Sequence, residues 1–262
     1  MKYLNFCGRI FYGLGITGLG VLHFLYPGFR PVILPIPPEA TAHLSILVYL
    51  TGTFLVVAGL AITFDKWTKK ISLLLAVVLL LLFVFGHLPN RLTNMINVLG
   101  AWTDALKLLS LSGGAFIVVA TYDDILDSKF FYTLDRISFL GKYFFGIMLV
   151  LFGIDHFLYF DFVKTLVPLW IPGNVFWTYV GGIALIGSGL AIIINYKIKT
   201  VAFLLGAMLF LWLILLHIPR AVIMDTSKDP NEIVSVFECL AFSGMAFLLC
   251  FNKSSSLKNP ID

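Results

Sequence analysis

The chain has 262 residues, of which 60% are hydrophobic and 12% charged, and its formal net charge is +4. A soluble domain of this length could not bury so large an apolar share, so the bilayer has to serve as its solvent. The cations are scattered and follow membrane topology, which excludes a nucleic-acid-binding surface.

Eight apolar runs follow one another, roughly 9–26, 43–64, 70–88, 101–121, 141–159, 174–194, 198–218 and 232–251. Most approach the ~20 residues that a membrane helix needs. The first run has Lys2 and Arg9 near its start but no small-x-small cleavage site after it, and Cys7 stands too early for a lipoprotein-type signal. It is expected to be a retained helix. Gly13, Gly20 and His23 fall near the Arg9 face, and glycines there let a neighbouring helix approach. The 14 residues from Arg9 to His23 rise about 21 Å, which puts the imidazole in the outer third of a hydrocarbon core ~30 Å thick.

The segment Pro27 to Pro38 is too rich in proline for a helix and too apolar for a solvated loop, so it is expected to lie either as a lid over the outer mouth of the bundle or as an anchor at the membrane interface. The third run carries His87, 17 residues beyond Lys70 and hence about 26 Å along the helix. Pro89 is expected to end that helix, with Arg91 at the rim. The fourth run contains Lys107, a cation at membrane depth that calls for Asp104 or a partner on another helix. A polar linker, residues 122–140, separates two halves, 1–121 and 141–251, and residues 252–262 form a tail.

The second half repeats the first. Gly8 through Tyr26 aligns without gaps on Gly141 through Tyr159, so His23 matches His156. The Phe160 to Pro172 segment matches the first lid, His217-Ile-Pro219 matches His87-Leu-Pro89, and Ser243-Gly244 matches Ser112-Gly113. The last alignment places Lys107 on Glu238, opposite charges that could form a buried ion pair between halves. His217 lies 18 residues beyond Lys199, about 27 Å along its helix, and Arg220 follows it. Asp155 breaks the symmetry, because its counterpart is Leu22; Arg220 or His217 is its expected partner.

An even number of helices in each half means that both halves enter the membrane from the same side. The expected fold is therefore all-α and integral to the membrane, with eight transmembrane helices as two parallel-repeat four-helix bundles. Lys and Arg divide 12 to 5 between the two sets of loops, which puts both termini in the cytoplasm. Cys7, Cys239 and Cys250 form no C-x-x-C or C-x-x-C-H, so a dithiol relay and c-type haem attachment lack their ligands, and no metal site is expected.

On Gly20 to Pro37 and Gly153 to Pro172, with His87-Leu-Pro-Asn90 and His217-Ile-Pro-Arg220 closing the third helix of each half, the chain resembles the DoxX and DoxX-like membrane family. The resemblance covers nearly the whole chain as two units in tandem. It implies small four-helix membrane units, some associated with redox enzymes, including a thiosulfate:quinone oxidoreductase subunit. The duplication and the added histidines depart from the usual single unit.

The expected function is that of a redox-associated protein of the bacterial inner membrane, holding a quinone or similar apolar ligand near the periplasmic side and working with a membrane or soluble redox partner. His23, His87, His156, His217, Arg91 and Arg220 are the candidate ligand-binding residues, and Asp155, His156 and His217 the candidate catalytic ones, because quinone reduction needs proton donors beside the carbonyls. Three alternatives stand beside it: a non-catalytic scaffold or assembly subunit, a bis-histidine haem b protein using His23 with His87 and His156 with His217, and a transporter of a small solute.

Overall fold

The computed structural model describes residues 2–126, 128–226 and 230–251. Lys228, Lys253, Lys258 and the expected tail 252–262 lie outside the described residues. Among the described residues the chain is helical throughout, and eight helices are long and apolar enough to cross a membrane. They are α1 (Lys2–Leu25), α2 (Ser45–Thr63), α3 (Thr68–Asn94), α4 (Thr103–Val119), α5 (Gly141–Leu158), α6 (Asn174–Ile193), α7 (Ile198–Ile223) and α8 (Asn231–Leu249). Within the stretch expected to be a linker, Lys129–Arg136 forms a further short helix.

Glycine decides which helices meet. A Cβ on Gly13 would lie 2.7 Å from the Gly59 carbonyl oxygen, and one on Gly20 would lie 2.8 Å from that of Gly52, so α1 and α2 touch backbone to backbone. Gly146 with Gly189 and Gly153 with Gly182 do the same for α5 and α6. A second set of crossings joins the halves: Gly8 of α1 lies against Gly244 of α8, and Gly141 of α5 against Gly113 of α4. Hence α1 packs about as extensively on α8 as on α2, and α5 packs on both α4 and α6. At the centre α4 meets α8.

The serines of α4 and α8 also occupy matched places. The Ser112 hydroxyl donates to the Ala76 carbonyl at 2.7 Å, and that of Ser243 donates to the Gly206 carbonyl at 2.9 Å. Buried hydroxyls satisfied in this way hold α3 to α4 and α7 to α8 without leaving a polar atom facing hydrocarbon. The inner turns recur too: Asp65 and Trp67 precede α3 with positive φ, as Asn195 and Lys197 precede α7.

Pro89 and Pro219 do not end their helices, contrary to the expectation from sequence. α3 continues to Asn94 and α7 to Ile223. Each helix widens into a π-helical turn just before its proline, over Leu82–His87 and Leu213–His217. The Leu88 N–H donates to Phe83, and the Ile218 N–H to Leu213, each five residues back. The wide turn moves the carbonyl that the proline ring would strike, so the helix bends its hydrogen-bond pattern and does not stop. With Leu88 and Ile218 so engaged and no N–H on either proline, the Val84 and Ile214 carbonyls have no α- or π-type donor.

The two segments expected to be lids differ from each other. In the first, Phe29, Val32 and Ile33 are buried and join the core, so it is an insert between helices and not a cover. In the second, Phe160–Leu166 is a short helix, while Leu169 and Trp170 are exposed.

Candidate functional site: the outer polar layer

Each of the four histidines lies at or near the end of its helix remote from the Asp65 and Asn195 turns, but their surroundings are not equivalent. His23 is fully committed. Its Nδ1–H donates to the Leu19 carbonyl at 2.8 Å, and Nε2 accepts the Arg30 N–H at 3.5 Å. Arg30 in turn donates to the Pro27 and Gly28 carbonyls, so the imidazole pins the proline-rich insert to α1. His156 keeps the first contact, with Nδ1–H donating to Phe152 at 2.7 Å, but its ring stacks on Trp212 of α7 at 6.3 Å between centroids.

His87 is 0% exposed, and neither ring nitrogen has a hydrogen-bond partner. It faces the backbone of Val32 and Ile33, with Arg91 and Asp104 as the nearby charges. His217 is half-buried, and its Nδ1 is also unpartnered. Lys107, Glu232 and Arg220 are the charges around it.

Lys107 Nζ lies 2.8 Å from Glu238 Oε2 and 3.8 Å from Asp104 Oδ1, so the cation bridges a carboxylate of its own helix and one from the other half. The second oxygen, Glu238 Oε1, is buried without a partner. Above the pair, Arg220 forms a two-pronged bridge to Glu232, with Nε to Oε2 at 3.0 Å and Nη2 to Oε1 at 2.5 Å. Sequence reasoning did not single out Glu232; its place in the first turn of α8 is the only signal it offered.

The expected pairing of Asp155 is corrected by this arrangement. Arg220 is taken by Glu232, and Asp155 Oδ1 is buried with no hydrogen-bond partner. Asp155 lies on one stripe of α5, four residues after Leu151 and four before Tyr159. Tyr159 accepts the Gly100 N–H at 3.0 Å, and Leu151 lines a groove of about 260 Å³ together with Ile96, Asn97, Leu99, Trp102 and Leu106. The stripe therefore faces the connection between α3 and α4, with the unpartnered carboxyl one turn above the groove.

The histidines of each half meet different neighbours: His23 packs on Phe29, His87 lies against the buried Val32 and Ile33, and His156 stacks on Trp212. Among the described residues no group of three or more His, Cys, Asp or Glu side chains could hold a metal ion. At the opposite end of the helices the cations hold structure: Lys69 pairs with Asp135, and Arg9 donates to the Ile62 and Thr63 carbonyls. Asp65 accepts from Thr68 at 2.9 Å and from the Tyr122 hydroxyl. Burial alone would raise the Asp65 carboxyl, but those two hydrogen bonds, with Arg9 and Lys66, hold it below its usual value.

Comparison with known protein families, characterised proteins and solved structures returns no match.

Proposed function

We propose that the chain is a tandem pair of DoxX-like four-helix units in the bacterial inner membrane, with both termini cytoplasmic, that holds a quinone or similar apolar ligand near the periplasmic side and works with a redox partner. The recurrence of the glycine crossings, serine bonds and inner turns at aligned positions supports the tandem repeat. The observation that carries the ligand is the unpartnered Asp155 carboxyl one turn above the apolar groove of Leu99, Trp102, Leu106 and Leu151.

A buried polar atom left unpaired costs on the order of 1–3 kcal/mol, which a ligand group bonded to Asp155 would recover. A quinone offers two carbonyl acceptors on a flat apolar ring, and its reduction by two electrons takes up two protons. A carboxyl can donate to such a carbonyl and accept from the quinol hydroxyl. Trp102 and Leu106 supply the apolar walls. His156, next to Asp155, keeps Nε2 without a partner and is the second candidate donor.

The test is a lipid extract of protein purified from its native membrane, followed by titration with decylubiquinone read by tryptophan quenching. The expected result is co-purified quinone and saturable quenching that Asp155→Leu weakens at least tenfold. Absence of both quinone and saturable quenching would sink the proposal.

A second reading, a non-catalytic assembly subunit, is favoured by His23, whose ring is spent on holding the insert. Under that reading, replacing His87, His156 and His217 together lowers thermal stability and leaves function in cells intact.

A further inference from the structure

Among the described residues, the buried or half-buried cations other than Arg91 each meet an oxygen. Arg9 and Arg30 donate to carbonyls, Lys69, Lys107, Lys164 and Arg220 pair with carboxylates, and Lys142 donates to Asn195. Arg91 does not. It is 8% exposed, its Nε is buried without a partner, and its one contact is from Nη1 to the Met95 sulfur at 3.6 Å. A thioether is a weak acceptor and cannot compensate a buried guanidinium.

The difference from Arg220 has a cause in the sequence. Arg220 comes three residues after His217, whereas Arg91 comes four after His87, which turns it onto the His87 face of its helix. The internal anion is also missing: the register that sets Lys107 against Glu238 sets Ala101 where the second half has Glu232. Asp104, the nearest charged neighbour of that face, is engaged with Lys107. The first half thus places His87 and Arg91 on one helix face, with His87 against the backbone of Val32 and Ile33 and Arg91 Nε buried without a partner and no carboxylate to meet the guanidinium.

Depth narrows the acceptor. The 23 residues from Thr68 to Arg91 rise about 35 Å, beyond a hydrocarbon core ~30 Å thick and at the level of the headgroups. Leu92, Ile96 and Val98 around it are exposed, an apolar collar suited to acyl chains. We propose that Arg91, one turn beyond the buried His87, forms an oxyanion site that binds the phosphate of a lipid headgroup, which takes the place that Glu232 fills in the other half. This site stands whether or not a quinone binds beside Asp155.

The experiment compares melting of wild type and Arg91→Met in nanodiscs of phosphatidylglycerol, in nanodiscs of digalactosyldiacylglycerol, and in the latter with saturating inorganic phosphate. Wild type is expected to melt about 5 °C higher in phosphatidylglycerol than in galactolipid, because a ligand that binds only the folded state stabilises it. Arg91→Met is expected to lose that increment and Arg91→Lys to keep part of it. An increment from the lipid alone assigns the site to a headgroup, and one from inorganic phosphate as well assigns it to oxyanions in general. Equal increments in wild type and Arg91→Met, or no increment in wild type, overturn the proposal. So does an Arg91→Met protein that melts higher in every medium, the result expected when an unpaired buried charge is removed from an empty site. If Arg91→Met does not fold, native mass spectrometry of the wild type decides. Retention of phospholipid against excess galactolipid supports the site, and indiscriminate loss of both overturns it.

Discussion

Lys107 of α4 and Glu238 of α8 meet at 2.8 Å, one residue from each half of the chain, where the two central helices cross. Each would be costly alone at this depth, and each is the other's compensation. Replacing one, as in Lys107→Met or Glu238→Gln, is expected to cost on the order of 3–5 kcal/mol, because the remaining charge stays buried. The double replacement with methionine should lie much closer to wild type. Denaturant unfolding in detergent micelles, run as a double-mutant cycle, measures both.

The matched helices α2 and α6 offer a comparison between a crowded glycine and an open one. A methyl group on Gly59 would sit 2.5 Å from the Gly13 carbonyl and 2.4 Å from the Thr17 hydroxyl, whereas one on Gly187 of α6 meets nothing within 4 Å. Gly59→Ala should destabilise by about 1–3 kcal/mol through forced separation of α1 and α2. Gly187→Ala should be neutral, or stabilise by up to about 1 kcal/mol through helix propensity. Thermal melts of the two variants side by side are the check.

On the inner face, the depressed Asp65 carboxyl makes stability depend on pH in one direction. Its folded value lies below its unfolded one, so its contribution is complete above the unfolded value and disappears as pH falls through the folded one. Tyr122, which donates to it, is pushed up to about 12 by burial and by that bond, so its share persists through neutral pH and is lost only in strong alkali. Wild type should melt higher than Asp65→Asn near neutral pH, and the gap should close as acid protonates the carboxyl.

Asp155 gives a prediction of opposite sign for stability and for binding. Its counterpart Leu22 is a buried core residue. Asp155→Leu is expected to raise the stability of the ligand-free protein by up to about 1 kcal/mol, since a half-buried carboxyl with its Oδ1 unpartnered is removed. The same change should weaken quinone binding. Melting with and without decylubiquinone separates the two effects.

The eight spans were legible because apolar length reports a membrane helix directly, and the repeat was legible because Gly, His and Pro recur at fixed spacing. Which helices pack together was not. In a bilayer both the lipid-facing and the protein-facing sides of a helix are apolar, so hydropathy does not show that α1 lies on α8 as well as on α2. Pro89 and Pro219 marked a disturbance, but local rules predict a stop where the packed helices take a wide turn. Glu232 escaped notice because a carboxylate at a helix start is ordinary; only the approach of Arg220 from α7 gives it a role.

The crossings of Gly8 with Gly244 and of Gly113 with Gly141 also govern how the protein is made. α1 leaves the ribosome before the other seven described spans, yet one of its two main neighbours is α8, which follows all of them in the chain. Until then one glycine face of α1 must rest against lipid or a chaperone, while α4 and α5 can close on each other much earlier. Neither half produced alone can complete its own packing, so separate halves should be degraded and two co-produced halves should rescue each other.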